Sequence, residues 1–125
     1  PERPWRPGTR VYVASRTLAA EDAPGATVLR DDVAGAVAAL RAEPGDGEIW
    51  LFGGGALFAA LLAAGQVDRV EVSVVPVLLG GGVPLLPPGG ARQALRLEGL
   101  TRYPSGIVSL HYAAPGARQL GVAAR

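Results

Sequence analysis

Cysteine and lysine are absent from this chain of 125 residues, and histidine occurs once, as His111. Without cysteine there are no disulfides, thiolate metal sites or cysteine nucleophiles. That absence fits a cytoplasmic protein. Without lysine there is no Schiff-base chemistry and no Walker-type phosphate loop. One histidine cannot make a histidine-based metal site alone. All 12 basic residues are therefore arginines, and the formal net charge is +1. They are scattered along the chain, at positions such as Arg30, Arg41, Arg69, Arg92 and Arg118, and form no basic cluster that would mark a nucleic-acid partner. Hydrophobic residues make up 49% of the sequence, too many for a disordered segment, and the length suits one domain with a core.

Residues 1–9, PERPWRPGT, read as an irregular lead-in. Residues 10–14 alternate and carry β-branched side chains, which predicts a strand ending at Ser15-Arg16. Thr27, Val28 and Leu29 form a second short strand. Asp31 or Asp32 can cap the helix that follows, whose apolar face is Val33, Ala36, Val37 and Leu40. Pro44-Gly45 stops it. Residues 48–52 are nearly all apolar, the pattern of a strand covered on both faces. Leu57, Phe58, Leu61 and Leu62 give a second helical stripe, with Gly65 at its stop. Residues 69–75 alternate again as a strand, and residues 76–90 form a long Pro/Gly loop. Residues 94–100 and 107–112 read as an antiparallel pair around Pro104-Ser105-Gly106. The fold class is α/β with an antiparallel finish, one domain over residues 1–112 and a loose C-terminal tail over residues 113–125.

Residues 49–67, IWLFGGGALFAALLAAGQV, contain no charge over 19 positions, a length that raises a membrane span. Three consecutive glycines and Gln66 make a poor spanning helix, and strand patterns lie on both sides. A flexible linker does not abut such apolar flanks. A tight strand-to-helix turn remains. Glycine has no Cβ, so the backbone can bend sharply and a ligand can approach its amides. The helix opening near Gly55-Ala56 has first-turn amides without internal partners and the positive end of its dipole, which together suit a phosphate. The same glycines also fit plain close packing of helix on strand. The dinucleotide fingerprint G-x-G-x-x-G is not present, because Phe58 stands three residues after Gly55.

Three blocks in order, VYVASRTL (residues 11–18), IWLFGGGALFAALLAAGQVD (residues 49–68) and VEVSVVPVLLGGGVPLL (residues 70–86), resemble the dihydrofolate reductase-like superfamily. The branch they resemble is the one with the reductase domain of riboflavin biosynthesis. The resemblance runs from about Val11 to Tyr112. It implies a three-layer α/β/α fold with a mainly parallel sheet and an antiparallel C-terminal strand, and NADPH as cofactor. It also implies a cis peptide between Gly53 and Gly54, and backbone contacts from Gly55, Ala56 and Leu57 to the NADPH pyrophosphate. Ser15 and Arg16 resemble the family's grip on the adenosine 2′-phosphate, and an arginine fork suits that dianion. Ser73 lies where the family often has a hydroxyl near the substrate.

The resemblance also has gaps. Family members open with a strand, a loop and a helix that have no counterpart here, and the chain starts at Pro1. The expectation is an N-terminally incomplete fold, a poor folder alone, completed by a longer protein or by another chain such as a homodimer partner. Riboflavin reductases usually carry an acidic substrate-binding residue where Phe52 stands, which argues against the riboflavin pyrimidine substrate. Arg69 replaces another common acid. No residue stands out as a general acid, and the catalytic residues stay unknown. Asp31 and Asp32 read as a cap rather than a paired acid and base. Glu71 reads as solvent-facing, His111 as a partly exposed strand residue, Trp5 and Trp50 as packing residues. Gly80-Gly81-Gly82 reads as the rim of a substrate site or a dimer contact.

The leading expectation is an NADPH-dependent reductase that transfers a hydride to a C=N or C=O carbon of a small heterocyclic or sugar-linked substrate. The second is a non-catalytic nucleotide-binding or structural relative, and the third a dimerisation module.

Overall fold

The computed structural model describes residues 5–45 and 47–116. The chain divides into two compact units, Pro1–Ile49 and Trp50–Arg125.

In the first unit, β1 (Tyr12–Ala14) pairs in parallel with β2 (Thr27–Leu29), Tyr12 facing Thr27 and Ala14 facing Leu29. A parallel pair needs a crossover of about a dozen residues. Here that crossover carries only a 3₁₀ turn, Ala20–Asp22. Helix α1 (Val33–Ala42) follows. Its cap is Asp32, at a left-handed φ of 37°, whose Oδ1 accepts a hydrogen bond from the Gly35 amide at 3.0 Å. A Cβ on Gly35 would meet the Asp32 carboxylate, which would have to turn aside to keep the cap. At the far end of α1, Glu43 takes both guanidinium nitrogens of Arg10, at 3.2 and 2.7 Å.

In the second unit, α2 (Gly55–Ala63) ends as its sequence predicts. Gly65 adopts φ 66° and donates to Leu62 O at 3.1 Å, while Gln66 donates to Leu61 O at 2.9 Å. These two bonds satisfy carbonyls that the helix end leaves open. The sheet consists of β3 (Arg69–Val74), β4 (Arg96–Arg102) and β5 (Val108–Ala113) in the order β3-β5-β4, antiparallel throughout. The β4–β5 register shifts between Leu97 and Gly99. The hairpin turns at Pro104-Ser105-Gly106, where Gly106 takes φ 88° and Tyr103 N bonds Ile107 O at 2.9 Å. Among the described residues, Leu61, Val70, Ala113 and Ala114 are the buried apolar ones and Ser109 the buried polar one. No described helix is long and apolar enough to cross a membrane.

Three expectations change. Residues 48–52 join neither sheet. The boundary between the two units falls inside this run. An apolar pattern supplies the faces of a strand but not the neighbouring backbone that makes it one. The rings of Trp50 and Phe52 instead meet edge to face at 5.3 Å, as neighbours two residues apart on one side of an extended chain can. The mainly parallel sheet is likewise replaced by one parallel ladder and two antiparallel ones. Finally, β5 runs past Tyr112, because Ala113 pairs with both Arg69 and Arg96 and the Ala114 amide donates to Asp68 O at 2.8 Å. Residues 117–125 of the expected tail lie outside the described residues.

Two outcomes are expected in the first unit. Asp32→Ala removes the α1 cap and lowers unfolding free energy by about 1 kcal/mol, while Asp32→Asn keeps most of it, as denaturant melts would show. Arg10 holds the Glu43 carboxyl below the usual carboxylate range, chiefly through their hydrogen bond. Stability from this pair is present above the ordinary carboxylate pKa and disappears as pH falls through the lowered Glu43 value. Carboxyl ¹³C shifts followed by titration should return Glu43 to the usual range in Arg10→Ala, and an unchanged titration would refute the pairing.

Candidate functional site

The glycine turn sits at the start of α2. The peptide between Gly53 and Gly54 is cis, the geometry the resemblance implies for this pair, and Gly53 takes φ 146°. The first intrahelical bond runs from Phe58 N to Gly54 O at 3.0 Å. The amides of Gly55, Ala56 and Leu57 therefore have no intrahelical acceptor. Gly53, Gly54 and Ala56 are exposed, and Gly55 and Leu57 half-buried. An uncharged turn that presents three free amides at the positive end of a helix fits a phosphate oxygen.

A second segment of the same unit comes up against this turn. A Cβ on Gly55 would stand 2.6 Å from the Leu85 carbonyl oxygen and 3.4 Å from its carbon. Leu85 belongs to the long loop after β3, which has no helix or strand until β4. Gly55 is thus the seat on which the backbone of residues 85–86 rests. Elsewhere the loop is open: Leu78 is 101% exposed, and a Cβ on Gly81 would meet nothing within 4 Å.

In the first unit, Ser15 and Arg16 stand together at the C-terminal end of β1. The Ser15 amide donates to Leu29 O at 3.0 Å, so the ladder reaches one residue past the strand. Its Oγ accepts hydrogen bonds from the Thr17 and Leu18 amides at 3.3 and 3.0 Å. With both lone pairs occupied, the hydroxyl is left as a donor, the polarity a phosphate oxygen needs. Arg16 is exposed. Its carbonyl accepts from Arg30 Nη1 at 3.1 Å, and Arg30 Nη2 donates to Leu18 O at 2.7 Å. Arg30 follows β2 as Ser15 follows β1, so both belong to the C-terminal end of the parallel pair, where α/β sheets receive ligands.

Ser73 is exposed on β3, in register with buried Ser109 of β5, which in turn faces Thr101 of β4. Directly paired residues share a face of the sheet, so three hydroxyl-bearing residues form one row across it. Two residues along, Glu71 faces His111, with 3.3 Å between Glu71 Oε1 and His111 Nδ1. No acid lies near His111 along the chain. The antiparallel register supplies one from β3, and alternation in both strands is the only sequence signal that could have shown it. Both side chains are open to solvent, His111 at 37% and Glu71 at 69% exposure. Among the described residues, no group of three His, Asp or Glu side chains could hold a metal ion. A shallow cavity of about 260 Å³ between the ends of β4 and β5 involves none of the residues singled out from the sequence.

The contact at Gly55 predicts an asymmetry between the two glycine runs. Gly55→Ala must displace the Leu85 backbone and should cost about 1–3 kcal/mol in a denaturant melt, the usual range for overpacking. Gly81→Ala, in open space, should stay within about 0.5 kcal/mol of wild type. Equal effects would show that the Leu85 contact is not maintained in solution.

The chain is 35% identical over 101 residues to the uncharacterized protein YyaP of Bacillus subtilis (strain 168), covering 81% of this chain and 53% of that protein. It is 31% identical over 86 residues to the uncharacterized protein YwjB of the same organism, covering 69% and 48%. The chain thus spans about half the length of the curated relatives it matches. A crystal structure of a candidate riboflavin biosynthesis protein from Shewanella sp. PV-4 superposes with a TM-score of 0.67 at 18% identity, over 90% of this chain and 64% of that one. At that identity the likeness concerns the fold. Residues 7–109 match the model of the RibD C-terminal domain, which takes in β1, the glycine turn, β4 and the first two residues of β5, and the chain belongs to that family.

Proposed function

We propose that this chain is the nucleotide-binding part of an NADPH-dependent reductase, with the three-layer dihydrofolate reductase-like arrangement and one reductase domain over residues 1–112. The observation that carries this reading is the turn at Gly53-Gly54-Gly55, which delivers the free amides of Gly55, Ala56 and Leu57 in a chain of the RibD C-terminal domain family. These amides would hold the pyrophosphate by backbone hydrogen bonds, with no side chain in the way. Ser15, as a hydroxyl donor, and Arg16, as an exposed guanidinium, would take the 2′-phosphate. When bound, NADPH supplies a hydride for a C=N or C=O carbon. The chain's own share is to bind and orient. Ser73 and the hydroxyl row it belongs to offer hydrogen bonds to a polar substrate.

Phe52 bears on the substrate. It is 74% exposed immediately before the glycines, and Trp50 beside it is 75% exposed. These two exposed rings, set at 80° to each other, offer apolar aromatic faces where a carboxylate would offer a hydrogen-bond acceptor. This favours a small heterocycle that stacks over one recognised by an acid.

The test is a titration of the chain with NADPH, followed by nucleotide fluorescence. Saturable binding is expected in wild type, with loss of at least about tenfold in affinity in Gly54→Val, whose side chain would crowd the approach to the amides. Absence of saturable binding by wild type would remove the nucleotide reading. Equal binding by the variant would move the site away from the turn.

A further inference from the structure

We infer that Arg30 is a positioning residue that sets the preference for a 2′-phosphorylated nucleotide by holding the Ser15–Leu18 turn in its binding shape. The inference rests on the reading of Ser15 and Arg16 as the 2′-phosphate grip.

The argument begins with geometry. The guanidinium of Arg30 bridges two carbonyls of one turn, Arg16 O at 3.1 Å and Leu18 O at 2.7 Å, from 14 and 12 residues away in sequence. The Ser15 hydroxyl meanwhile gathers the Thr17 and Leu18 amides of the same turn. Leu18 is therefore tied at both its amide and its carbonyl, and Arg16 at its carbonyl. Three of the four residues of the turn are fixed by two side chains, one from the residue after each strand of the parallel pair. A planar, rigid fork suits two acceptors at once, and a flexible ammonium holds them less well.

Charge gives the second half. The acceptors of Arg30 are neutral carbonyls, so these bonds leave its positive charge uncancelled against the backbone of Arg16 and Leu18. Asp31 and Asp32 follow it in sequence, and the Asp32 carboxylate is engaged with the Gly35 amide at the start of α1. A phosphate dianion entering beside Ser15 would meet the Arg16 guanidinium directly. It would also meet a turn whose shape has already been fixed, so less ordering remains to be done on binding. A nucleotide without the 2′-phosphate uses neither advantage.

The experiment compares dissociation constants for NADPH and NADH in wild type, Arg30→Ala and Arg30→Lys, together with amide hydrogen exchange at Thr17 and Leu18 in the free protein. Arg30→Ala should weaken NADPH binding by about tenfold and NADH binding by less than about twofold, and should speed exchange at both amides. Arg30→Lys, which keeps the charge but loses the fork, should lower the NADPH-over-NADH ratio by about threefold. A merely structural role would speed exchange and weaken both nucleotides alike, leaving the ratio unchanged, and would overturn the assignment. If Arg30→Ala does not fold, the ratio in Arg30→Lys decides: unchanged from wild type, it overturns the assignment. A wild type that binds neither nucleotide defeats the reductase reading itself, and the inference falls with it. A wild type that prefers NADPH with variants that keep its preference defeats only the role given to Arg30.

Discussion

Strand β5 is the constraint on which the second unit depends. Both β3 and β4 pair with it and neither pairs with the other, so each strand's position is fixed by backbone hydrogen bonds to β5 alone. An antiparallel register leaves no freedom in which residues face each other, since a slip of one position turns every side chain to the opposite face. That register places Ser73 by Ser109, Glu71 by His111 and Val70 by Tyr112. The buried residues follow from the same source: Val70, Ser109, Ala113 and Ala114 all belong to β3, β5 or the end of β5, and Leu61 comes from α2. A sheet with a two-sided dependence on one strand can have a small core and still have a definite face.

The two candidate phosphate contacts use different chemistry. At the turn before α2, phosphate binding would be a property of the backbone, and the side chains would matter by being absent. After β1, it would be a property of side chains, and the backbone would matter as what they hold. The first solution carries no charge of its own and rests on helix-end amides. The second concentrates two guanidinium groups and a hydroxyl left with only its proton to give.

Much of this was legible in the sequence, and what was not has a common cause. The helix boundaries could be read because their signals are local: Asp32 before α1, Gly65 after α2. Thr27, Val28 and Leu29 could be read as a strand because β-branched and apolar residues stand between turn signals on both sides. Residues 48–52 carried an equally strong pattern and joined no sheet, because strand identity depends on a neighbour that the pattern cannot report. Glu71 was read as solvent-facing and His111 as partly exposed, as both are, while their pairing stayed hidden, because it is set by a register between strands far apart in sequence. Arg30 left no trace for the same reason. Its partners are carbonyls, which every residue has, and no spacing of side chains announces them. The glycine turn was the part of the site easiest to read, since a run of three glycines in an apolar stretch has few physical explanations. Its seating against Leu85 was not readable, although both segments were.

The lack of a Cβ at Gly55 ties two stretches of the chain together over time. Any amino-acid replacement at that position adds at least one carbon toward the Leu85 carbonyl, so none is conservative in the ordinary sense. A change at Gly55 can be accommodated only where the backbone at Leu85 and Leu86 also moves, by substitution or by a change in loop length. The long loop after β3 is free to vary in its open middle, but the end that rests on α2 shares its history with the turn.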